Sequence, residues 1–324
     1  MSTSEEIIVL MREKQTLEQE LDKLIYGSVE VRESKDGKYI YSHYRDNGIT
    51  LTKYVGEYSD DLYNLIINNN IKAKEIKKRL RTINNKLNSF KVYESIKDFK
   101  YGLNVDFAKS NIVNMIYDQS IVEGIATTYL DTEELIENGK VRNMNQEAVL
   151  KITNLKRAWD FILNEYILTL TTTFDLISNV NKIVESNFYY DAGVIRSTPV
   201  KISGTKWLPI LPNKENIIDD INHIINSNKS KADIAIDLLL YICKTQIFKD
   251  GNKRTALIIA NHYLISHGKG LLIIDADNSN KYKDLLINYY ETNKKKEIYD
   301  FLIKECYIPL KWYGIIDNTC IKRK

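Results

Sequence analysis

Three of the four prolines in this 324-residue chain fall between Phe188 and Pro212. Proline lacks a backbone donor and clashes with the preceding helical turn, so its near absence elsewhere leaves long stretches free to be helical. Glycine is also scarce, at 13 residues, while Leu, Ile, Lys, Glu and Asn are abundant. The expectation is therefore a mainly α protein interrupted once. With 44% apolar and 27% charged residues the composition is that of a globular protein, long enough to bury a core and to divide into two domains.

Apolar periodicity places the elements. Leu10, Leu17, Leu21 and Leu24 recur at spacings of seven, four and three, which predicts a helix over 5–25. Alternation then takes over in 28–34, 38–45 and 49–55. The turn signals Lys35-Asp36-Gly37 and Asp46-Asn47-Gly48 separate them, as in a three-stranded meander. A second helix starts near 59 and carries the stripe Ile76, Leu80, Ile83, Leu87, Phe90. The two stripes predict an antiparallel helical hairpin bearing a small sheet, a module over 1–95 that also offers a surface for homodimerisation. The second domain, 96–324, reads as helical except for 188–212, where Val200 and Ile202 alternate with polar neighbours and predict a projecting β-hairpin.

Net charge is +3, too small to imply a nucleic-acid partner by itself, but residues 71–100 hold ten lysines and arginines against three acids. That stretch reads either as a solvated helix face or as contact with an acidic partner or nucleic acid. Three cysteines, Cys243, Cys306 and Cys320, have no metal spacing and no disulfide framework. The acidic first residues do not resemble a signal peptide, and no apolar run reaches the roughly 18 residues that span a bilayer. These features predict a cytoplasmic protein without a membrane partner.

The chemistry lies in residues 235–270. An apolar helix runs to Phe248, stops at Lys249-Asp250-Gly251-Asn252, and a second helix follows from Lys253 to Gly268. At such a helix mouth Gly251 takes positive φ, free N–H groups face outward and the helix dipole favours an anion. Lys253 and Arg254 add positive charge, and Asp250 offers a hard oxygen ligand for Mg²⁺.

In register, Phe248, Asp250, Gly251, Asn252, Lys253 and Arg254 resemble the motif of the Fic/Doc (Fido) family, His-any-Phe-any-Asp/Glu-Gly-Asn-Gly/Lys-Arg. The resemblance implies a Fic-type helical domain that binds ATP or ADP with Mg²⁺ and transfers AMP to protein hydroxyls. Asp250 would hold the metal, Gly251, Asn252 and Lys253 would line the phosphate site, and Arg254 would clamp a phosphate. Residues 119–124, Gln-Ser-Ile-Val-Glu-Gly, resemble the family's inhibitory helix, with Glu123 at the glutamate position. Residues 193–212 resemble its flap, which implies that Arg196, Val200 and Ile202 help dock an unidentified target protein.

The sequence also departs from the family. Gln246 stands where the motif has its histidine, Leu257 where self-inhibited members have a second arginine, and Gln119 where the inhibitory motif begins with Ser/Thr. Lys253 is similar to Doc-type toxins, which transfer a phosphoryl group. A carboxamide does not accept a proton near neutrality, so Gln246 implies weak or lost AMP transfer. Three readings follow. One is a nucleotide-binding Fic protein of impaired activity. Another is a working AMP-transferase or de-AMPylase with Glu123 as base. The third is a DNA- or protein-binding regulator using the fold as scaffold. Of the histidines, His262 lies about two turns beyond the helix mouth and is the one considered as an assistant to catalysis, against a purely structural role.

Overall fold

A computed structural model describes residues 3–46, 49–90 and 102–310. The chain divides into two compact units, Met1–Lys91 and Val92–Lys324. Outside the described residues lie the turn residues Asn47 and Gly48, the last part of the basic stretch (91–100) and Cys320.

In the first unit, α1 (Thr3–Asp22) leads into the antiparallel meander β1 (Ser28–Ser34), β2 (Gly37–Asp46) and β3 (Ile49–Glu57), followed by α2 (Asp60–Ser89). Ser59 caps α2, its hydroxyl accepting from the Leu62 amide, and Asp60 and Asp61 complement the helix dipole. The predicted α2 stripe is largely the buried one: Ile76, Ile83 and Leu87 are in the core. On α1 the burial sits earlier than expected, at Ile7, Ile8, Leu10 and Met11, while Leu17, Leu21 and Leu24 are only half-buried. Acids on α1 seven residues apart meet cations on α2 seven residues apart: Glu6 with Lys86, Glu13 with Arg79 through two bonds of 2.6 and 2.8 Å, and Glu20 with Lys72 at 3.5 Å. This ladder fixes the antiparallel register of the hairpin.

The second unit is helical. Its elements are α3 (Gly102–Ser110), α4 (Ile112–Val122), α5 (Tyr129–Asn138), α6 (Gln146–Ile162), α7 (Glu165–Leu168), α8 (Phe174–Val184), α9 (Lys214–Ile225), α10 (Lys231–Thr245) and α11 (Asn252–Ser266). The last part holds β4 (Leu271–Leu272), α12 (Ser279–Thr292), α13 (Lys296–Phe301) with a π-helical turn at Leu302–Cys306, and β5 (Tyr307–Ile308), which pairs with β4. All but one residue of α11 is buried, so it is the central helix, packed against α6, α8 and α10. Its charged beginning, Lys253 and Arg254, is therefore held at the inner end of whatever opening faces it.

Residues 188–212 do not form the expected β-hairpin; no strand is assigned there. The Arg196 guanidinium, 2% exposed, takes the carbonyls that a ladder would have used: Nε donates to Gln246 O at 2.5 Å, Nη1 to Thr198 O at 3.1 Å and Nη2 to Ile210 O at 2.6 Å. Pro199, Pro209 and Pro212 supply no donors in exchange. The loop is instead fastened to α12, where Trp207 stacks on Tyr290 at 5.3 Å and Thr205 donates to Glu291 at 2.6 Å.

Candidate functional site

Helix α10 ends because Gln246 turns left-handed, at φ 48 and ψ 62. Its carbonyl is pinned by Arg196, and its side chain folds inward. The amide Nε2 donates to Cys243 O at 2.6 Å, and Oε1 accepts from Asn252 Nδ2 at 3.1 Å. Asn252 closes the loop, accepting from the Phe248 amide at 2.9 Å and donating to the Phe248 carbonyl at 2.8 Å. Phe248 itself is buried and anchors the turn in the core.

Gly251, at φ 72, begins α11 with no side-chain cap. Its positive φ disfavours any other residue, and a Cβ would run into the Glu185 carboxylate. The Gly251 amide donates to Asp250 Oδ1 at 2.6 Å, while the Asp250 side chain remains half exposed. The following amides of α11 face outward at the positive end of the helix dipole.

Behind this mouth lies Arg254, only 3% exposed. Its Nη2 is 2.8 Å from Glu185 Oε1 and 3.4 Å from Asp250 Oδ1. The pairing with Glu185 is one of charge, without hydrogen-bond alignment, and Arg254 Nε and Nη1 are buried donors with no acceptor. Glu123, at the end of α4, stands between the two cations, 3.5 Å from Lys253 Nζ and 3.6 Å from Arg254 Nε. Gln119, one turn earlier, is structural: it donates to the Arg254 carbonyl at 3.1 Å and accepts from Trp159 Nε1 at 3.1 Å. Leu257 is buried and brings no second cation.

Two residues of this site were missed by the sequence reading, and both come from α8 and its cap. Asn181 donates to the Asp250 carbonyl at 3.0 Å and to Thr255 Oγ1 at 3.2 Å, and accepts from the Gly193 amide at 2.9 Å. It ties the loop, α11 and the start of the proline-rich segment together. Glu185, 2% exposed, packs under Gly251 and pairs with Arg254. A signal existed: Asn181 is a polar residue on the apolar face formed by Ile177, Val180 and Val184, an unusual choice unless it has partners.

Burial raises the Glu185 carboxyl to about 7, against the opposing pull of Arg254, and the charge of Asp250 adds to the rise. A carboxyl whose folded value lies above its unfolded one stabilises the fold fully below the unfolded value, and that contribution is lost as pH climbs through the folded one. The melting temperature of the parent protein relative to Glu185→Gln should therefore fall by several degrees between pH 4.5 and pH 8, the glutamine variant having no such titration. A difference that stays flat across that range in paired melting curves would show that Glu185 is ionised throughout.

The remaining expected site residues divide. Asp250, Gly251, Asn252, Lys253, Arg254, Gln246 and Glu123 come together. Arg196 is a pin inside the fold, its guanidinium directed to main-chain carbonyls, so it is not available to a docked target; this corrects the sequence expectation. Val200 and Ile202 are half-buried, and the apolar side chains presented by the segment are Val194, Leu208, Ile210 and Leu211. His262 is fully buried between Thr172 Oγ1 at 3.1 Å and Ile167 O at 3.0 Å, and burial lowers it to about 4, which keeps it neutral and structural.

Taken together, these contacts define a helical domain whose central helix presents an uncapped, arginine-backed mouth beneath a proline-rich loop. Residues 171–264, within the second unit, match the Fic/DOC family. The matched stretch contains Asn181, Glu185, Arg196 and the whole 246–254 segment; Glu123 lies before it. Solved structures agree at the level of fold. A Fic domain containing signaling protein from Bacteroides thetaiotaomicron is 16% identical with a TM-score of 0.52, covering 68% of this chain and 89% of its own. Fic-1 from C. elegans is 17% identical with a TM-score of 0.53, covering 75% and 81%. A Fic family protein from Desulfovibrio desulfuricans is 12% identical with a TM-score of 0.51, covering 67% and 70%. Comparison with curated proteins gives no match.

Proposed function

We propose that this protein binds ATP or ADP with Mg²⁺ at the Asp250–Arg254 loop, with AMP transfer weak or lost, and acts through nucleotide-dependent binding or regulation in the cytoplasm. One observation carries the reading: Arg254 is a buried guanidinium with Nε and Nη1 unspent, set at an uncapped helix mouth. Buried donors left without acceptors are costly, and a phosphate at that position supplies them.

The charges support a metal as well. Among the described residues Glu123, Glu185 and Asp250 form ion pairs with Lys253 and Arg254 alone, while Lys151 acts on Glu185 more weakly. Admitting a phosphate into three carboxylates and two cations requires an offset. A divalent cation on half-exposed Asp250 and a proton on Glu185 both provide one. Among the described residues no His/Cys/Asp/Glu cluster forms a metal cage, which suits Mg²⁺ held by one carboxylate together with phosphate oxygens. Bound there, the ion would neutralise phosphate charge. Glu123 stands beside Arg254 Nε, so an incoming phosphate has to share or displace it.

Transfer is a different matter. A hydroxyl that attacks phosphorus must lose its proton. Gln246 is not a base at neutral pH, and its amide is already engaged by Cys243 O and Asn252.

The test is a melting curve. ATP or ADP with Mg²⁺ at about 100 times its Kd should add about 2.7 kcal/mol of stability and raise the melting temperature accordingly. Nucleotide without Mg²⁺ should produce a smaller shift. Curves that superimpose with and without millimolar nucleotide would end the proposal.

A further inference from the structure

The first unit carries a second anion-directed feature, unrelated to the nucleotide site. Helix α2 has two sets of cations. Lys72, Arg79 and Lys86 are spent on Glu20, Glu13 and Glu6 of α1. Lys74, Lys77, Lys78 and Arg81 recur at i, i+3, i+4 and i+7, which puts them on one face, and none of them has an ion pair among the described residues. Together with Tyr26, Asn70 and Ala73 these four line a recess of about 490 Å³. Lys77 Nζ lies 4.4 Å from the centroid of the Tyr26 ring. No acid lines the recess. Glu75 is on the same helix outside it, and Asp22 lines a neighbouring recess that shares Tyr26.

We infer that this recess receives the phosphate backbone of a nucleic acid. The four cations span about 10 Å of helix axis, and one strand of a duplex presents a phosphate about every 3.4 Å of its own axis. The face therefore spans about three phosphate intervals, or about four consecutive phosphates. The cations line a hollow with an aromatic wall, which suits a backbone lying in it better than a flat bilayer surface. The Asn70 amide is already engaged by the Gly27 backbone, which leaves cations and the Tyr26 ring to meet a phosphate backbone, so recognition would be of charge and spacing and binding independent of sequence. The cations of the hairpin are divided between holding its own two helices together and facing outward unneutralised.

The test uses the full chain with a fluorescent 20-base-pair DNA duplex, the matching single strand, and phosphatidylserine vesicles, read by anisotropy or co-sedimentation over a range of salt. The parent protein should bind the nucleic acids with a steep salt dependence. Combining Lys74→Ala, Lys78→Ala and Arg81→Ala should flatten the slope of log K against log salt by about three. A charge-matched control, Lys294→Ala with Lys296→Ala and Lys304→Ala, should leave the slope unchanged; all three control lysines are exposed. Lys78→Ala alone, expected to lower the slope by about one, keeps the test open if the triple variant loses helical circular dichroism. The inference is overturned if the parent binds no nucleic acid, if the control loses as much as the recess variant, or if only the vesicles are bound. That last outcome would mark α2 as a membrane-surface face, helped by exposed Ile71 one turn before Lys74.

Discussion

Arg254→Ala should abolish the rise in melting temperature expected of the parent protein with ATP or ADP and Mg²⁺. Three consequences of the substitution act in the same direction. The two unspent donors, Nε and Nη1, disappear, and with them the fork that matches a phosphate. Glu185 loses its partner while remaining 2% exposed. Glu123 keeps only Lys253. The site changes from two cations against three carboxylates to one, and a phosphate meets net repulsion. The same change lowers baseline stability near pH 8, where Glu185 is ionised, because removing one member of a buried pair strands the other at a cost of about 3–5 kcal/mol. Near pH 5 a proton on Glu185 relieves that cost. The quantity to read is thus the difference between curves with and without nucleotide, measured for each variant at one pH. Arg254→Lys is the informative companion: it restores charge without the fork, and a small residual shift is expected. A full shift in the alanine variant would mean that nucleotide binds elsewhere.

The second large effect runs the other way. Gln246→His should raise transfer of label from α-labelled ATP onto protein hydroxyls by about 10²–10⁴-fold, the range a general base contributes. Position 246 is suited to the change because it is left-handed at φ 48, and histidine is among the residues that tolerate that region better than most. Arg196 holds the backbone through the carbonyl, whatever the side chain. The surrounding parts are in place: Asn252 closes the loop, Gly251 opens the helix and Arg254 backs it. Label from the histidine variant alone would identify a site that has kept its architecture and lost its base. Equal label from both would assign the proton to another group. No label from either, with nucleotide still shifting the melting curve, would restrict the site to binding.

What the sequence disclosed here follows contiguity. The loop from Gln246 to Arg254 was legible because its residues adjoin one another and several of them act locally, by a positive φ, a helix start or a turn-closing amide. The meander was legible from alternation bounded by glycine turns. The proline-rich segment misled: Val200 and Ile202 alternate like a strand, but one buried guanidinium, Arg196, outcompetes ladder pairing for the carbonyls of Thr198 and Ile210. Such a contact is made by an arginine that reads as a surface residue until the fold encloses it. Asn181 and Glu185 were invisible for a related reason. They reach the loop from about 70 residues away, and only a polar interruption of an apolar stripe hints at them. The first helix was displaced in a milder way, since Ile7, Ile8 and Met11 bury more than the leucine stripe that gave the period.

The fastening of the proline-rich loop has a practical consequence. Trp207 lies nearly parallel to Tyr290, at 14°, with the Lys244 ammonium 5.5 Å from its ring. Trp159 is locked in the core with its indole N–H bonded to Gln119. Of the three tryptophans, Trp159 is therefore a steady background and Trp207 sits at the seam between the loop and α12, where a change in its stacking on Tyr290 would alter its emission; Trp312 lies outside the described residues. The protein carries its own optical gauge of loop position, readable without a label and calibrated by a single Trp207→Phe replacement.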